Sequence, residues 1–288
     1  MTVKKQVSLH GNRAFITQRD TLVGRGAIAT GGEDKATIIL PGGVETVAQF
    51  DDFLGDVLAD EWNYVEPDTG HTGAINAQTN GVFRINLSAT ATATPAAGAL
   101  INSGALQWKA KQGKGGKNGN LRLSARVKLP KVVAHGVDTG IGSVFIGFTD
   151  ITTFEFPIYD TGNSTGPISP AADAVGFLWG SRADTGWTAV AVKSTAGDSG
   201  DQQALTGVTP TQNVWQTLEI DIHSGISDTG GSATFYINGV PKARINSPVA
   251  SATALTPVVA ICQLQANANT SLVDIDYLNI SAPRDTGD

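Results

Sequence analysis

The sequence contains one cysteine, Cys262, so it can form neither an intrachain disulfide nor a cysteine-based metal site. Cys262 lies in the apolar, strand-like run 257–266, and this setting predicts a buried structural thiol rather than a reactive one. Histidine is also scarce, and no two histidines have the H-x-H or H-E-x-x-H spacing of a metal site. The histidines are His10, His71, His135 and His223. We therefore predict neither a bound metal nor a cofactor.

Long apolar runs are missing as well. No run approaches the roughly 20 apolar residues that a membrane-spanning helix needs. Near the N-terminus, Lys4 and Lys5 are followed by the polar residues Gln6, Ser8 and His10, where a signal peptide would have its apolar core. We expect a protein that is synthesised and folded in a cytoplasm and does not contact a membrane.

Charged residues make up only 16% of the chain, and the net charge is −6, which argues against nucleic acid as a direct partner. Methionine occurs once, and the Leu/Glu/Lys runs that long helices use are rare. Glycine is abundant at 34 residues, together with Thr, Ala, Ser and Val. This composition is typical of many short strands joined by turns, so we predict an all-β chain.

The first 47 residues differ from the rest of the chain. They contain two short alternating segments, 13–17 and 36–40, and neither could fill a core alone. Up to residue 25 there is one acidic residue, Asp20, against five basic ones. The basic residues are Lys4, Lys5, Arg13, Arg19 and Arg25. We interpret residues 1–47 as an N-terminal docking arm or small β extension whose basic side chains bind an acidic partner surface; the alternative is a flexible leader that is basic. Residues 48–282 then form the body, and residues 283–288 a polar tail.

The clearest pattern in the body runs from Trp215 to Ile245. Leu218, Ile220 and Ile222 alternate with polar residues, as in a strand with one buried face. A second alternating strand ends at Asn238-Gly239, the dipeptide that a tight type I′ hairpin turn favours. The stretch therefore predicts an antiparallel meander. Further strands are predicted at 81–88, 99–108, 121–129, 143–150, 174–180, 187–193 and 272–280. In the strand at 121–129 we expect Arg122, Arg126 and Lys128 to face outward. The strands at 143–150 and 174–180 are apolar, with glycines where strands bend or approach closely.

These strands resemble a known family. The pattern W-x-T-L-x-I-x-I from Trp215, the Y-I-N-G hairpin from Tyr236, the D-D-F-L segment from Asp51 and the closing strand at 272–280 resemble the concanavalin A-like lectin/glucanase family, especially its laminin-G-like branch. The resemblance implies a jelly-roll sandwich of two antiparallel sheets over residues 49–280. That family includes carbohydrate binders, glycan hydrolases and structural modules, so the fold alone does not choose among these functions.

The hydrolase interpretation depends on Glu219 and Asp221. They match the first two positions of the E-x-D-x-x-E motif of laminarinase-type members, but Ser224 stands in place of the last glutamate. Retaining hydrolysis needs that second carboxyl group as proton donor. We therefore predict outward-facing charges, no catalytic residues and no enzyme. The tripeptide Asp-Thr-Gly, which carries the catalytic residue of aspartic proteases, is predicted to form turns here. Its six copies begin at Asp68, Asp138, Asp160, Asp184, Asp228 and Asp285.

The five tryptophans allow a second functional interpretation, because aromatic ring faces stack on sugars. The tryptophans are Trp62, Trp108, Trp179, Trp187 and Trp215. Core packing is the favoured interpretation for most of them. For a carbohydrate-binding protein, Trp179 and Trp187 are the candidate stacking residues.

A sandwich of this family with a basic arm, no disulfide and no complete catalytic set resembles structural proteins of tailed-bacteriophage virions. The resemblance implies a capsid decoration or cement protein on the virion surface, anchored by its arm to the major capsid protein or another virion protein. We expect a homo-oligomer, with a trimer as the specific prediction. The alternatives are an adhesin or lectin on head or tail fibres that binds a host surface glycan, and a glucanase-type glycan hydrolase.

Overall fold

The structure is a computed structural model that describes a little more than half of the chain. The described residues are 23–24, 27–30, 36–39, 45–53, 58, 60, 62–66, 72–76, 81–87, 98–104, 108–109, 120–130, 142–153, 155–160, 167–180, 186–193, 202–223, 231–249, 254–263 and 271–283. Strands and turns account for the regular structure in these ranges, which confirms the all-β prediction. Within the same ranges, no helix is long and apolar enough to cross a membrane.

The strands are numbered in chain order. They are β1 (Val23–Gly24), β2 (Ala27–Thr30), β3 (Ala36–Ile39), β4 (Glu45–Asp51), β5 (Asn63–Val65), β6 (Thr72–Asn76), β7 (Val82–Leu87), β8 (Gly98–Asn102), β9 (Trp108–Lys109), β10 (Asn120–Lys128), β11 (Gly142–Thr149), β12 (Tyr159–Asp160), β13 (Pro167–Ile168), β14 (Ala174–Gly180), β15 (Thr188–Val192), β16 (Gln202–Leu205), β17 (Trp215–His223), β18 (Ser232–Ile237), β19 (Val240–Asn246), β20 (Ala254–Gln263) and β21 (Ser271–Pro283).

Two antiparallel sheets contain nearly all of these strands. The larger sheet has eleven strands in the order β1-β2-β3-β4-β21-β10-β17-β18-β19, with β7 also paired to β21 and β6 to β7. The smaller sheet has eight strands in the order β16-β15-β14-β11-β20-β8-β5, with β9 also paired to β20. Strands β12 and β13 form a separate pair. The two packed antiparallel sheets confirm the predicted jelly-roll sandwich.

The main core lies between the two sheets. Alternate residues of β10 and β17, such as Leu123 and Ile220, face it from the larger sheet, and Val144 of β11 belongs to the same buried cluster. Phe177 of β14 meets Phe235 of β18 edge to face, with ring centroids 5.2 Å apart. The hydrophobic patterns of strands in different sheets thus converge on one core, as sandwich packing requires.

The predicted meander of β17, β18 and β19 is confirmed, including its tight turn. Asn238 and Gly239 both have positive φ angles, 52° and 78°, as a type I′ turn requires. The Asn238 side chain also accepts a hydrogen bond from the backbone N–H of Thr217 at 2.8 Å. The turn is therefore fixed to the start of β17.

The prediction of one continuous strand over residues 99–108 is wrong. The chain forms β8, leaves the sheet, and pairs again as β9 further along β20. Gly104 lies between the two strands with a φ of 66°, a left-handed conformation that interrupts a strand.

The predicted boundary between residues 47 and 48 falls inside β4. Strand β3 pairs with β4, with Ala36 opposite Ala48, and β2 and β1 follow outward in the same sheet. At the other end of the chain, β21 extends to Pro283 and pairs with β4 there. The described part of the N-terminal extension therefore continues the larger sheet of the sandwich.

Candidate functional site

Three strands of the smaller sheet, β8, β14 and β15, offer little open surface. Every residue of β8, β14 and β15 is buried, so these strands are covered on both faces. On the face away from the main core, Phe145 and Leu178 pack in a second buried cluster with Phe156, Ile158 and Ala171. These last three residues belong to the connection between β11 and β14, which covers the sheet.

The larger sheet has an open face. Residues along β17 alternate between buried and partly exposed, so one side of this strand faces away from the core. The antiparallel register places these outward residues in rows that run across β21, β10 and β17; the first row begins on β7, and the third and fourth rows extend onto β18 or β19, with Phe50 of β4 in the third. The first row contains Arg84, Asp274, Lys128 and Trp215. The second contains Tyr277, Arg126 and Thr217; the third contains Phe50, Asn279, Ser124, Glu219 and Tyr236; and the fourth contains Ser281, Arg122, Asp221, Thr234 and Arg244.

Asp274 is the centre of the first row. Its carboxylate accepts two hydrogen bonds from Arg84, at 2.5 Å from Nε and 2.8 Å from Nη2, and its Oδ2 lies 3.0 Å from Nζ of Lys128. The side chain of Asp274 is 1% exposed. The hydrogen bonds to Asp274 raise the pKa of the Arg84 guanidinium, although burial opposes this shift. A nearly buried carboxylate is therefore held by two cations on neighbouring strands.

A β-bulge shapes the second row. Arg126 pairs with Tyr277, but the next residue, Val127, pairs with Ile275, so Asp276 is an extra residue in β21. A bulge places an additional side chain on one face of a sheet. Here the carboxylate of Asp276 reaches Nη1 of Arg126 at 2.7 Å.

Aromatic rings lie among these charges. The guanidinium carbon of Arg126 is 5.1 Å from the ring centroid of Trp215, and Nζ of Lys128 is 4.7 Å from it. Both distances are within the range of cation–π attraction. The rings of Phe50 and Tyr277 are 6.1 Å apart on the neighbouring strands β4 and β21. Trp215, Tyr277 and Phe50 are all partly exposed.

Glu219 and Asp221 lie on this outer face, which confirms that they face away from the core. Asp221 forms an ion pair with Arg122, with Nη2 and Oδ2 3.1 Å apart. Glu219 lies between Ser124 and Tyr236 in the register. Both carboxylates thus lie on the outer face of β17, and Asp221 is paired with a cation of the neighbouring strand β10.

The structure places Trp179 and Trp187, the candidate sugar-stacking residues, in the main core. Trp187 is 0% exposed, and its indole N–H donates a hydrogen bond to Gln216 at 2.8 Å. Neither ring presents a face to solvent in this structure. The candidate docking residues Lys4, Lys5, Arg13, Arg19 and Arg25 lie outside the described residues.

The other residues considered from the sequence are Cys262, the metal-ligand types and the Asp-Thr-Gly aspartates. Cys262 is fully buried, which confirms the prediction for this thiol, and burial raises its pKa to about 12. In the part of the chain that the structure describes, no group of three or more His, Cys, Asp or Glu side chains could hold a metal ion. Of the six Asp-Thr-Gly aspartates, Asp160 ends β12, and the other five lie outside the described ranges.

Sequence alternation predicted that Arg122, Arg126 and Lys128 face outward, and the structure confirms this. The sequence pattern did not single out Arg84, Asp274 or Asp276, and it did not distinguish Trp215 from the other tryptophans as an accessible residue. Asp274 is part of an alternating strand, but its cations come from β7 and β10, which are distant in sequence. The sequence around Asp274 therefore does not indicate that it pairs with Arg84 and Lys128.

The fold has counterparts among solved structures. A protein of unknown function from Shewanella oneidensis MR-1 is 16% identical, with a TM-score of 0.51, over 86% of this chain and 91% of that chain. Peanut lectin is 10% identical, with a TM-score of 0.50, over 83% of this chain and 97% of that chain. An endo-1,3-β-glucanase from Streptomyces sioyaensis is 13% identical, with a TM-score of 0.49, over 81% and 95% of the two chains. The two-sheet jelly-roll fold of this chain is therefore similar to the folds of the Shewanella protein and of peanut lectin, and identities this low establish the fold alone.

No protein-family model matches the sequence, and no curated protein matches it either.

Proposed function

We propose that this chain is a non-enzymatic structural protein of a bacteriophage virion, specifically a capsid decoration or cement protein. The observation that supports the proposal most directly is the continuity of β1, β2 and β3 with β4. Backbone pairing ties the N-terminal extension to the body through the sheet. An arm anchored in this way would transmit its attachment on a capsid to the whole sandwich.

In this function the basic residues of the arm bind an acidic surface of the major capsid protein. Five basic residues against one acidic residue up to position 25 provide the complementary charge. The sandwich, which has the remaining negative charge of the chain, projects outward from the shell. We expect a homotrimer around a local symmetry axis, because closed symmetric assembly is the usual state of such modules.

The test is immunogold electron microscopy of virus particles from the source of the chain, with an antibody against the sandwich. Even labelling over the heads is the expected result. A variant that lacks residues 1–22 should fold but fail to sediment with particles that lack the protein. Absence of label from the virions would overturn the proposal, and label confined to tail fibre tips would favour the adhesin alternative.

The second candidate function is binding of a host surface glycan. The specific observation in its favour is that the rings of Trp215 and Tyr277 are partly exposed on the open face of the larger sheet. Sugar binding would then use these residues, because Trp179 and Trp187 are in the core. A glycan array probed with the wild-type protein and with Trp215→Ala tests this function; no saturable binding to any glycan would exclude it.

A further inference from the structure

The paired cations and anions on the open face of the larger sheet differ in exposure. The side chains of Arg84, Arg122 and Arg126 are 36%, 48% and 42% exposed. Their partner carboxylates on Asp274, Asp221 and Asp276 are 1%, 13% and 24% exposed. In each pair the guanidinium is the outer member, so a ligand that approaches this surface meets N–H donors first. We call these three arginines the arginine face.

The recessed carboxylates also hold the guanidinium groups in place. Arg84 contacts Asp274 through Nε and Nη2, while Arg122 and Arg126 each contact a carboxylate through one terminal nitrogen. An arginine has five N–H donors, so each side chain keeps donors for a ligand. Ordering these long side chains beforehand lowers the entropy cost of binding.

The three arginines are spread across the sheet rather than grouped around one point. Arg122 and Arg126 are four residues apart on the same face of β10, a separation of about 13 Å. Arg84 lies two strands from β10, across β21, which adds about 10 Å in the other direction. A small anion cannot span these positions, whereas a polymer with repeated anionic groups can.

The partly exposed rings of Trp215 and Tyr277 lie on the same face. Trp215 opens β17 opposite Lys128, and Tyr277 is opposite Arg126. Aromatic rings offer apolar contact to the C–H faces of sugars, and guanidinium groups match carboxylates and sulfates. The combination suits a polymer of acidic sugars better than a neutral glycan.

We propose that the arginine face binds an anionic polysaccharide, with Arg84, Arg122 and Arg126 donating hydrogen bonds to its carboxylate or sulfate groups and Trp215 packing on a sugar ring. This inference names the ligand class of the glycan-binding function above, and it rests on that function. It does not depend on the virion assignment. Evidence against a virion function would leave this inference intact, and failure to bind acidic polysaccharides would leave the virion function intact.

Glu219 provides an internal test of position. It lies between Asp221 and Thr217 on β17, on the same face as the arginines. A carboxylate there repels an anionic ligand, so Glu219→Gln should strengthen binding about two- to threefold at low salt. In a glucanase that used Glu219 as a catalytic residue, the same substitution would abolish hydrolysis.

The experiment measures binding of the full chain to heparin and to polygalacturonate, with neutral dextran and double-stranded DNA as comparison polymers. We expect both acidic polysaccharides to bind and dextran not to bind. The double variant Arg122→Gln/Arg126→Gln should weaken binding by about tenfold for each guanidinium removed. Added salt should weaken the wild-type interaction. Lys193→Gln removes one cation next to β15 in the smaller sheet and should bind as the wild type does.

Circular dichroism and thermal unfolding show whether each variant is folded. If the double variant is destabilised, Arg126→Lys replaces it, because this change keeps the charge but loses the planar donor geometry. Wild-type affinity in a folded arginine variant would overturn the proposal. Equal affinity for DNA and polysaccharide would also overturn it, because general attraction of polyanions would then explain the binding.

Discussion

The two sheets of the sandwich bury their faces differently. Strands β14 and β15 of the smaller sheet are buried on both faces, whereas β10 and β17 of the larger sheet alternate between the core and an open polar face. Strands buried on both sides are continuously apolar, and strands buried on one side alternate. Among these four strands, β10 and β17 of the larger sheet keep a surface on which another molecule can lie, and β14 and β15 do not.

Trp187 and Trp215 represent the two environments. Trp187 precedes β15, is fully buried and donates a hydrogen bond to Gln216. Trp215 opens β17, is partly exposed and contacts Arg126 and Lys128 through its ring. A large aromatic residue stabilises the core in the first position and is accessible for binding in the second.

Replacing each of these tryptophans with alanine should give clearly different losses in the free energy of unfolding. Trp187→Ala should lower the free energy of unfolding by about 3–5 kcal/mol, because it leaves a cavity and removes the partner of Gln216. Trp215→Ala should cost only about 1–2 kcal/mol, mainly through lost cation–π contacts. Urea unfolding of both variants measures the difference. Equal losses would mean that Trp215 is as much a core residue as Trp187.

Phe156 tests whether the connection between β11 and β14 covers the smaller sheet. Phe156 is fully buried in the second cluster, against residues such as Phe145. Phe156→Ala should destabilise the protein by about 3 kcal/mol and expose apolar surface. Increased fluorescence of an apolar dye in the folded variant measures the exposure. Thr153→Ala, an exposed change in the same connection, is the matched control. Dye binding by both variants would show that Phe156 does not act as a cover.

Much of the sandwich could be predicted because its information is local. Alternation along β17 and the Asn238-Gly239 turn fixed a meander, and the apolar run of β14 indicated a buried strand. The glycines of β11 and β14 indicated close approach, and a Cβ at Gly147 would indeed clash with the backbone of Val175. Each of these signals lies within about ten residues.

The candidate site could not be predicted to the same extent, because it depends on contacts between distant strands. Asp274 and Arg84 are 190 residues apart in sequence. Whether an aspartate in an alternating strand is solvated or held by two cations depends on which strands flank it. The bulge at Asp276 likewise arises where β21 pairs with β10. For the same reason, the sequence could not tell which tryptophan is accessible.

Substitution of Asp274 tests whether the ion pairs on the open face stabilise the fold. Asp274→Asn removes the charge that holds both Arg84 and Lys128, and we expect a loss of about 1–3 kcal/mol because these cations are themselves partly exposed. Asp276→Asn should cost less, since Asp276 is more exposed and is paired with Arg126 alone. Thermal unfolding at low and high salt measures both losses. If Asp274→Asn leaves stability unchanged, the first row does not contribute to the fold.

The smallest expected effect concerns Asp150, which follows β11 in the smaller sheet. Its pKa is raised above the usual value, chiefly by burial, and the nearby charge of Asp173 acts in the same direction. A carboxylate whose pKa is higher in the folded state binds its proton more tightly there than in the unfolded chain. Its contribution to stability is therefore present below the unfolded pKa of about 4 and is lost as the pH rises through the folded pKa.

Asp150→Asn removes that titration, so stability should fall less between pH 4 and pH 7 than in the wild type. At pH 7 the variant should be more stable, by less than about 1 kcal/mol, because solvent screens a partly exposed group. Chemical unfolding across this pH range measures the slope. Glu155→Gln, which removes an exposed negative charge in the adjoining connection, is the control. If both variants flatten the slope equally, the negative charge of the region causes the pH dependence of stability. If only Asp150→Asn flattens it, burial of the Asp150 carboxylate is the cause, and the two-sided burial of the smaller sheet extends to the end of β11.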